Sequence, residues 1–253
     1  MDKYSPEERH QLIIQLLQSH QKVMAVDLAS QLCTTEATIR RDLRYLADEG
    51  LCKRIHGGAL SLAPPTGTPE ERLNNRNSEK QALAIAALSL IKPKQLIFLD
   101  ASSTNMLLAS MLPTNLDLTV VTNSPAIATR LLERQTIKTI LIGGVLDYAV
   151  GGAIDITAAQ AVSKFRFDLC FVGVCAWSSE VGFSALHYQD GDFKHLVCAR
   201  SGAIAVLCTE DKIEALASYP FLESQDLDYL VCTDSDSSIA RYFAEQQCQV
   251  IIG

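Results

Sequence analysis

Seven short runs after residue 95, almost unbroken in apolar residues, leave few folds open. They are Leu96–Asp100, Leu118–Val121, Thr139–Ile142, Leu169–Val174, Ala203–Cys208, Tyr229–Cys232 and Gln249–Ile252. Each has the length of a strand. None alternates apolar with polar residues, which predicts burial on both faces of a mainly parallel sheet. Helix candidates lie between them, near residues 104–112, 124–135, 155–164, 190–200 and 236–247. Strand and helix in alternation predict an open α/β sandwich, in which ligands bind beyond the carboxyl ends of the strands.

The first 60 residues follow another pattern. Helices are expected over 6–19, with Pro6 near the start, over 25–32, and over 35–49, where Gly50 stops the last one. Leu51 to Leu60 reads as two short basic strands about a Gly57-Gly58 turn. Helix, helix, turn, helix and basic hairpin, in that order, make a winged helix-turn-helix. In the third helix Thr34 or Thr35 supplies the cap, and Ala37, Ile39, Leu43 and Leu46 can serve an inner stripe. Arg40, Arg41 and Arg44 extend outward. Small polar residues at a helix start with arginines one turn later suit the major groove of double-stranded DNA. Thr35, Ala37, Thr38 and Arg40 are expected at base edges, and Arg41, Arg44, Lys53, Arg54 and His56 on phosphates or the flanking groove.

The net charge of −7 is no objection to DNA binding once it is divided. Residues 1–60 hold eight basic and eight acidic side chains, so the whole excess lies in residues 61–253. Residues 40–54 carry five basic and three acidic groups, a surplus on the contacting element itself. Between the two parts, residues 61–70 hold three prolines and a glycine and read as an extended spacer. The expected division is a winged helix-turn-helix domain at 1–60, a linker at 61–77 and an α/β effector and oligomerisation domain at 78–253. The eight cysteines include no C-x-x-C pair and no zinc-ligand spacing, so no metal or other cofactor is expected. The amino terminus has no signal-peptide core and no apolar run reaches bilayer length, which points to a cytoplasmic protein without a membrane partner.

The strand ends hold the candidate effector residues. After the first run comes Asp100-Ala101-Ser102-Ser103-Thr104-Asn105, a strand-to-helix turn whose backbone N–H groups and hydroxyls can cradle a phosphate or carboxylate; serines chosen for turn propensity would read the same. Thr122-Asn123-Ser124-Pro125 and Gly143-Gly144 close the next two runs. Lys194 and Lys212 are the cations suited to an anion, among titratable neighbours Asp190, Asp192 and Asp211. His56 and His187 have no partner at metal spacing. No nucleophile elbow, P-loop or G-x-G-x-x-G occurs, so catalysis has no positive sign.

Taken together these residues resemble the DeoR family of bacterial sugar-responsive transcription regulators over essentially the whole chain. The resemblance is carried by Arg9, Thr38-Ile39-Arg40-Arg41-Asp42-Leu43 and Arg54-Ile55-His56-Gly57-Gly58-Ala59. It continues through Glu79-Lys80, Asp100…Thr104, Val121-Thr122-Asn123-Ser124, Gly143-Gly144, Phe171-Val172-Gly173 and Asp211-Lys212. It implies a sensor domain similar to the sugar-phosphate isomerase and CoA-transferase superfamily, a phosphorylated metabolite as effector, and a homo-oligomer on repeated operator half-sites. The chain departs from the family pattern at Ser102 and Ser103, where Gly and Thr are usual, and at Thr209, where Asp is frequent. The expected function is a DNA-binding regulator, a repressor by this reading. The rivals are an architectural regulator with a degenerate, ligand-free sensor and a DNA-tethered sugar-phosphate isomerase.

Overall fold

In the computed structural model, which describes residues 3–62 and 67–253, the first helix opens at a capping box. Ser5 Oγ accepts the Glu8 N–H, and the Glu8 carboxylate accepts the Ser5 N–H at 2.8 Å. Helix α1 (Pro6–His20) ends at left-handed Gln21, and β1 (Lys22–Met24), α2 (Ala25–Gln31) and α3 (Glu36–Asp48) follow. The wing is β2 (Lys53–Ile55) and β3 (Gly58–Leu62); β3 lies between β1 and β2, antiparallel to both. Ile13, Leu17, Leu28, Ile39, Leu43 and Leu46 form the small core. Strand β1 was not expected, because three residues between two helices are too few for an alternation signal.

The wing turn also differs in detail from the expected Gly-Gly pair. His56 and Gly57 form the turn, with Gly57 left-handed at φ +79°, and Gly58 already belongs to β3. Gly58 serves close approach, since a Cβ there would stand 2.1 Å from the Val23 carbonyl oxygen.

The spacer departs further from expectation. Strand β3 continues to Leu62, and the proline-rich centre at residues 63–66 lies outside the described residues. From Thr68 the segment is helical, because Thr68 and Glu71 form a second capping box with Pro69 at the first helical position. Helix α4 (Pro69–Asn74) breaks at Asn75 and at left-handed Arg76, φ +51°, before α5 (Asn77–Ala87).

The remaining elements alternate as expected: β4 (Leu96–Leu99), α6 (Ser103–Met111), β5 (Thr119–Thr122), α7 (Pro125–Leu132) and β6 (Lys138–Leu141). A short hairpin, β7 (Leu146–Asp147) and β8 (Gly152–Ala153), leads to α8 (Ile156–Val162) and β9 (Leu169–Val172). Then come β10 (Ala176–Ser178), β11 (Gly182–Ala185), α9 (Tyr188–Ala199), β12 (Ile204–Leu207), β13 (Ala215–Leu216) and β14 (Tyr219–Leu222). The described chain closes with β15 (Tyr229–Cys232), α10 (Ser238–Ala244) and β16 (Gln249–Ile252).

The seven apolar runs are the seven strands of one sheet, in the order β16-β15-β12-β9-β4-β5-β6, with every neighbouring pair parallel. Both faces are covered. Phe98, Val121, Cys170, Val206 and Leu230 pack on one side with Trp177, Phe183 and Phe243. Ile97, Leu99, Val120, Phe171 and Val231 pack on the other with Leu83, Ala84 and Leu108. From β4 the chain builds outward through β5 and β6, and from β9 it builds the opposite way. The β4/β9 boundary is therefore the topological switch point, where the loops diverge and leave a crevice. The antiparallel sheet β10-β11-β14 stands beside the main one.

Candidate functional site

Two sites emerge, an exposed basic face on the winged helix and a cationic cleft at the switch point. On the first, Thr35 caps α3: its hydroxyl accepts the Thr38 N–H at 3.2 Å and lies 3.0 Å from the Thr38 hydroxyl. The inner stripe is Ile39, Asp42, Leu43 and Leu46, so Ala37 is exposed and does not join it. Thr35, Arg40, Arg41, Arg44, Lys53, Arg54 and His56 are exposed as well, and Thr38 is half-buried. Arg40 pairs with Glu36 at 2.8 Å along the helix surface. What fixes the helix is Asp42, buried, which accepts two hydrogen bonds from Arg9 of α1 at 2.8 and 3.1 Å. His10 Nε2 lies 3.1 Å from the same carboxylate, and its ring stacks on Tyr45 at 4.7 Å. The fork between α1 and α3 sets the angle at which the arginines are presented.

The cleft collects the ends of three neighbouring strands. Ala101, Ser102 and Ser103 follow β4, Gly173, Val174 and Cys175 follow β9, and Thr209, Asp211 and Lys212 follow β12. Its other walls are His187, Asp190 and Lys194 of α9 and its approach, and Arg72, Asn75, Arg76 and Lys80 from the α4–α5 break. Ser102 caps α6 by accepting the Asn105 N–H at 3.1 Å, which leaves the first helical N–H groups facing outward. Its φ of −142° is extended, so the turn does not need the glycine that the family usually places there. Glycine is needed across the crevice instead, since a Cβ on Gly173 would stand 2.7 Å from Ser102 Cβ.

Lys194 holds the cleft floor. Its ammonium donates to Asp190 at 2.6 Å and lies 3.6 Å from Asp100, whose Oδ2 also accepts the Gly173 N–H at 2.9 Å. Burial opposes the Lys194 charge, but the carboxylates of Asp190 and Asp100 outweigh it and hold the ammonium above the ordinary lysine range. Burial raises the Asp100 carboxyl, with Lys194 working against that rise. Asp190 Oδ1 and Thr209 Oγ1 are buried and accept or donate no hydrogen bond among the described residues.

Lys80 and Lys212 complete the cationic wall. Lys80, buried on α5, donates to the carbonyls of Arg72 and Asn75, not to a carboxylate. Desolvation, with Lys212 nearby as a second cation, lowers its pKa to about 8. The Lys212 ammonium makes no ion pair or hydrogen bond among the described residues. Arg76 faces Asp211 and Glu210 at 3.6 Å and Glu79 at 3.1 Å. Arg72 ties α4 across to the Ala149 and Val150 carbonyls at 2.6 and 2.8 Å. Five basic and two acidic side chains line the cleft, an excess that favours an anion.

Of the effector candidates read from sequence, Ser102, Ser103, Lys194 and Lys212 line the cleft and Asp100 lies directly beneath it. Thr104 is buried one position too far into α6 to reach the opening. Asn123 is a brace, accepting the Ala101 N–H at 3.0 Å and donating to the Ala153 carbonyl at 3.2 Å. Gly143 and Gly144 lie elsewhere, because β6 is the sheet edge, two strands from the switch point; glycine is needed at Gly144 because a Cβ there would collide with Asp155 Oδ1. Sequence reading missed Arg72, Arg76, Lys80 and the cleft position of His187. Lys80 had a signal: with Leu83, Ala84 and Ala87 it occupies the buried stripe of α5, an unusual place for a lone lysine. Among the described residues no helix is long and apolar enough to cross a membrane.

Comparison with known proteins bears on both sites. The profile of the DeoR-like helix-turn-helix domain matches residues 9–64, and that of the DeoR C terminal sensor domain matches residues 75–235. The HTH-type transcriptional regulator GolR of Listeria innocua is 31% identical over 94% of this chain and 94% of its own length. The glycerol-3-phosphate regulon repressor of Escherichia coli (strain K12) is 28% identical over 81% of this chain and 82% of its own. Among solved structures, ribose 5-phosphate isomerase A of Methanocaldococcus jannaschii superposes on 55% of each chain at 16% identity and a TM-score of 0.41. With both of its parts matched and a relative aligned along nearly its full length, the chain belongs to the DeoR family of transcriptional regulators, a helix-turn-helix DNA-binding head joined to a sensor domain.

Proposed function

We propose that this regulator is a repressor whose cleft binds a small phosphorylated metabolite, and that α3 and the wing grip operator DNA in the absence of that metabolite. The observation that carries the effector reading is the uncompensated cationic wall: Lys80, without a carboxylate partner, and Lys212, without any partner among the described residues, face the amino terminus of α6. A phosphate there receives helix N–H groups and two ammonium groups at once. The unpartnered oxygens of Asp190 and Thr209 suit the hydroxyls of a sugar or polyol, which would satisfy them. The naming of a relative for glycerol-3-phosphate agrees with that chemistry.

On the DNA side, Thr35, Ala37, Thr38 and Arg40 meet base edges and Arg41, Arg44, Lys53, Arg54 and His56 meet phosphates, in an assembly of at least two copies on paired half-sites. The cleft works by binding and not by turnover. Lys194 stays charged between two carboxylates, which leaves it unable to act as a base, and the Oδ2 of Asp100 is engaged by Lys194 and the Gly173 N–H. A thermal-shift screen of phosphorylated sugars and polyols tests the effector reading. A ligand at 100 times its dissociation constant stabilises the fold by about 2.7 kcal/mol, and Lys212→Ala should abolish the shift. A blank panel would favour a ligand-free sensor instead.

A further inference from the structure

The loop that presents Lys212 to the cleft does not stop there. Two residues, Ile213 and Glu214, separate it from a strand laid on the winged helix. The turn Glu210–Lys212 is closed by Lys212 N–H to the Thr209 carbonyl and by Ile213 N–H to the Glu210 carbonyl, both at 3.1 Å. The chain then passes left-handed Glu214, φ +53°, and enters β13. Strand β13 pairs parallel with the end of the wing strand, Ala215 beside Ser61 and Leu216 beside Leu62. Glu214 Oε2 lies 3.5 Å from Lys22 Nζ at the start of β1. Behind this strap, Ala215 and Ala217 pack on Ala176, and Cys175 and Leu186 of the cleft wall pack on the same small cluster. The sensor domain thus contributes a strand to the sheet of the DNA-binding domain, and that strand is continuous with a cleft wall.

We propose that residues 209–216 are the regulatory connection: a phosphate held by Lys212 draws the Glu210–Lys212 turn toward the cleft and withdraws β13 and Glu214 from the wing. The inference rests on the cleft being the effector site. Its physical basis is the shortness of the strap. Residues 209 and 216 are joined by seven peptide steps, at most about 25 Å of chain, and part of that length is spent in the tight turn. The turn cannot shift far while β13 keeps its register on β3. Two places on one short segment, each with its own partner, make a two-position element that both sites bias. Coupling of this kind is reciprocal, so whatever loosens the wing contact must favour the ligand.

That reciprocity gives the test, with inorganic phosphate as the probe and the full chain as the material. Phosphate affinity is measured calorimetrically for the wild type, Lys22→Gln and Glu214→Gln. Lys22 begins β1 of the winged helix and Glu214 is outside the cleft; Glu214 is largely buried, but glutamine keeps its size and removes only the charge. Each variant should bind phosphate about two- to five-fold more tightly, the scale of one ion pair and the low end of measured couplings. In the wild type, phosphate should also raise deuterium uptake at residues 58–62 and 213–217, and Lys212→Ala should remove that response. Phosphate binding of unchanged or weaker affinity in both variants would overturn the strap and leave the effector site standing. No phosphate binding by the wild type would overturn the effector site and the strap with it.

Discussion

Lys80 is the side chain whose chemistry most directly reports a ligand. Burial, the nearby Lys212 and Arg72 depress its pKa to about 8, with Asp211 and Glu79 pulling the other way. For a lysine depressed in the folded state, the sign runs against stability at low pH. Below about pH 8 the buried ammonium is a cost, and that cost fades as pH rises from about 8 toward the unfolded value of 10.5. A bound phosphate restores the ammonium, so its affinity should fall as pH rises through about 8. Calorimetry at pH 8.5 in two buffers of different ionisation enthalpy should show proton uptake on phosphate binding, lost in Lys80→Met. Binding that takes up no proton would contradict the place given to Lys80. At the other end of the molecule, Arg9 carries structural weight. Arg9→Ala leaves buried Asp42 without its two hydrogen bonds, and the winged helix should lose about 3–5 kcal/mol in chemical unfolding.

At the scale of elements, α3 is tested by salt. Replacing Arg44, exposed on its outer face, with Ala should weaken binding to all DNA sequences alike and lower the slope of log affinity against log salt by about one. Arg40→Ala should instead relax preference at one operator position, after release of the Glu36 pair that it makes in the free protein. Much of this element structure was legible in the chain. The inner strands announced themselves because a strand buried on both faces must be apolar at every position, and Leu169–Val172 and Ile204–Leu207 are buried throughout; the edge strands β6 and β16, expected to be buried likewise, are partly exposed because each has a neighbour on one side only. Strands made by a few residues gave no such pattern. β7 and β8 are two residues each, and β1 and β13 are held by partners distant in sequence; nothing local in Ala215-Leu216 marks a strand added to the wing. The cleft was half legible for a related reason. Ser102, Ser103 and Lys212 sit where strands end, whereas Arg72 and Arg76 reach the cleft only because α4 and α5 break at a left-handed residue above it. Gly143 and Gly144 show the limit of reading strand ends: only strand order tells which ends face the crevice.

At the scale of the whole molecule, the sensor and the DNA-binding head are joined twice, once along the chain through residues 62–69 and once through β13 on β3. Helix α4, the last part of the chain connection, is itself tied to the cleft region by Arg72. A ligand that changes the cleft therefore has a route to the wing through β13, and regulation requires only that it bind one arrangement better than the other. The claim at the centre of this account is that occupancy of the cleft and grip on DNA oppose one another. The most direct measurement is fluorescence anisotropy on a DNA site selected from a random pool by the protein itself, with and without a metabolite that shifts its melting. The metabolite should weaken binding of the wild type several-fold, within the roughly 5- to 150-fold range of allosteric couplings, and leave Lys212→Ala bound. DNA affinity that stays the same with the cleft filled would contradict the account.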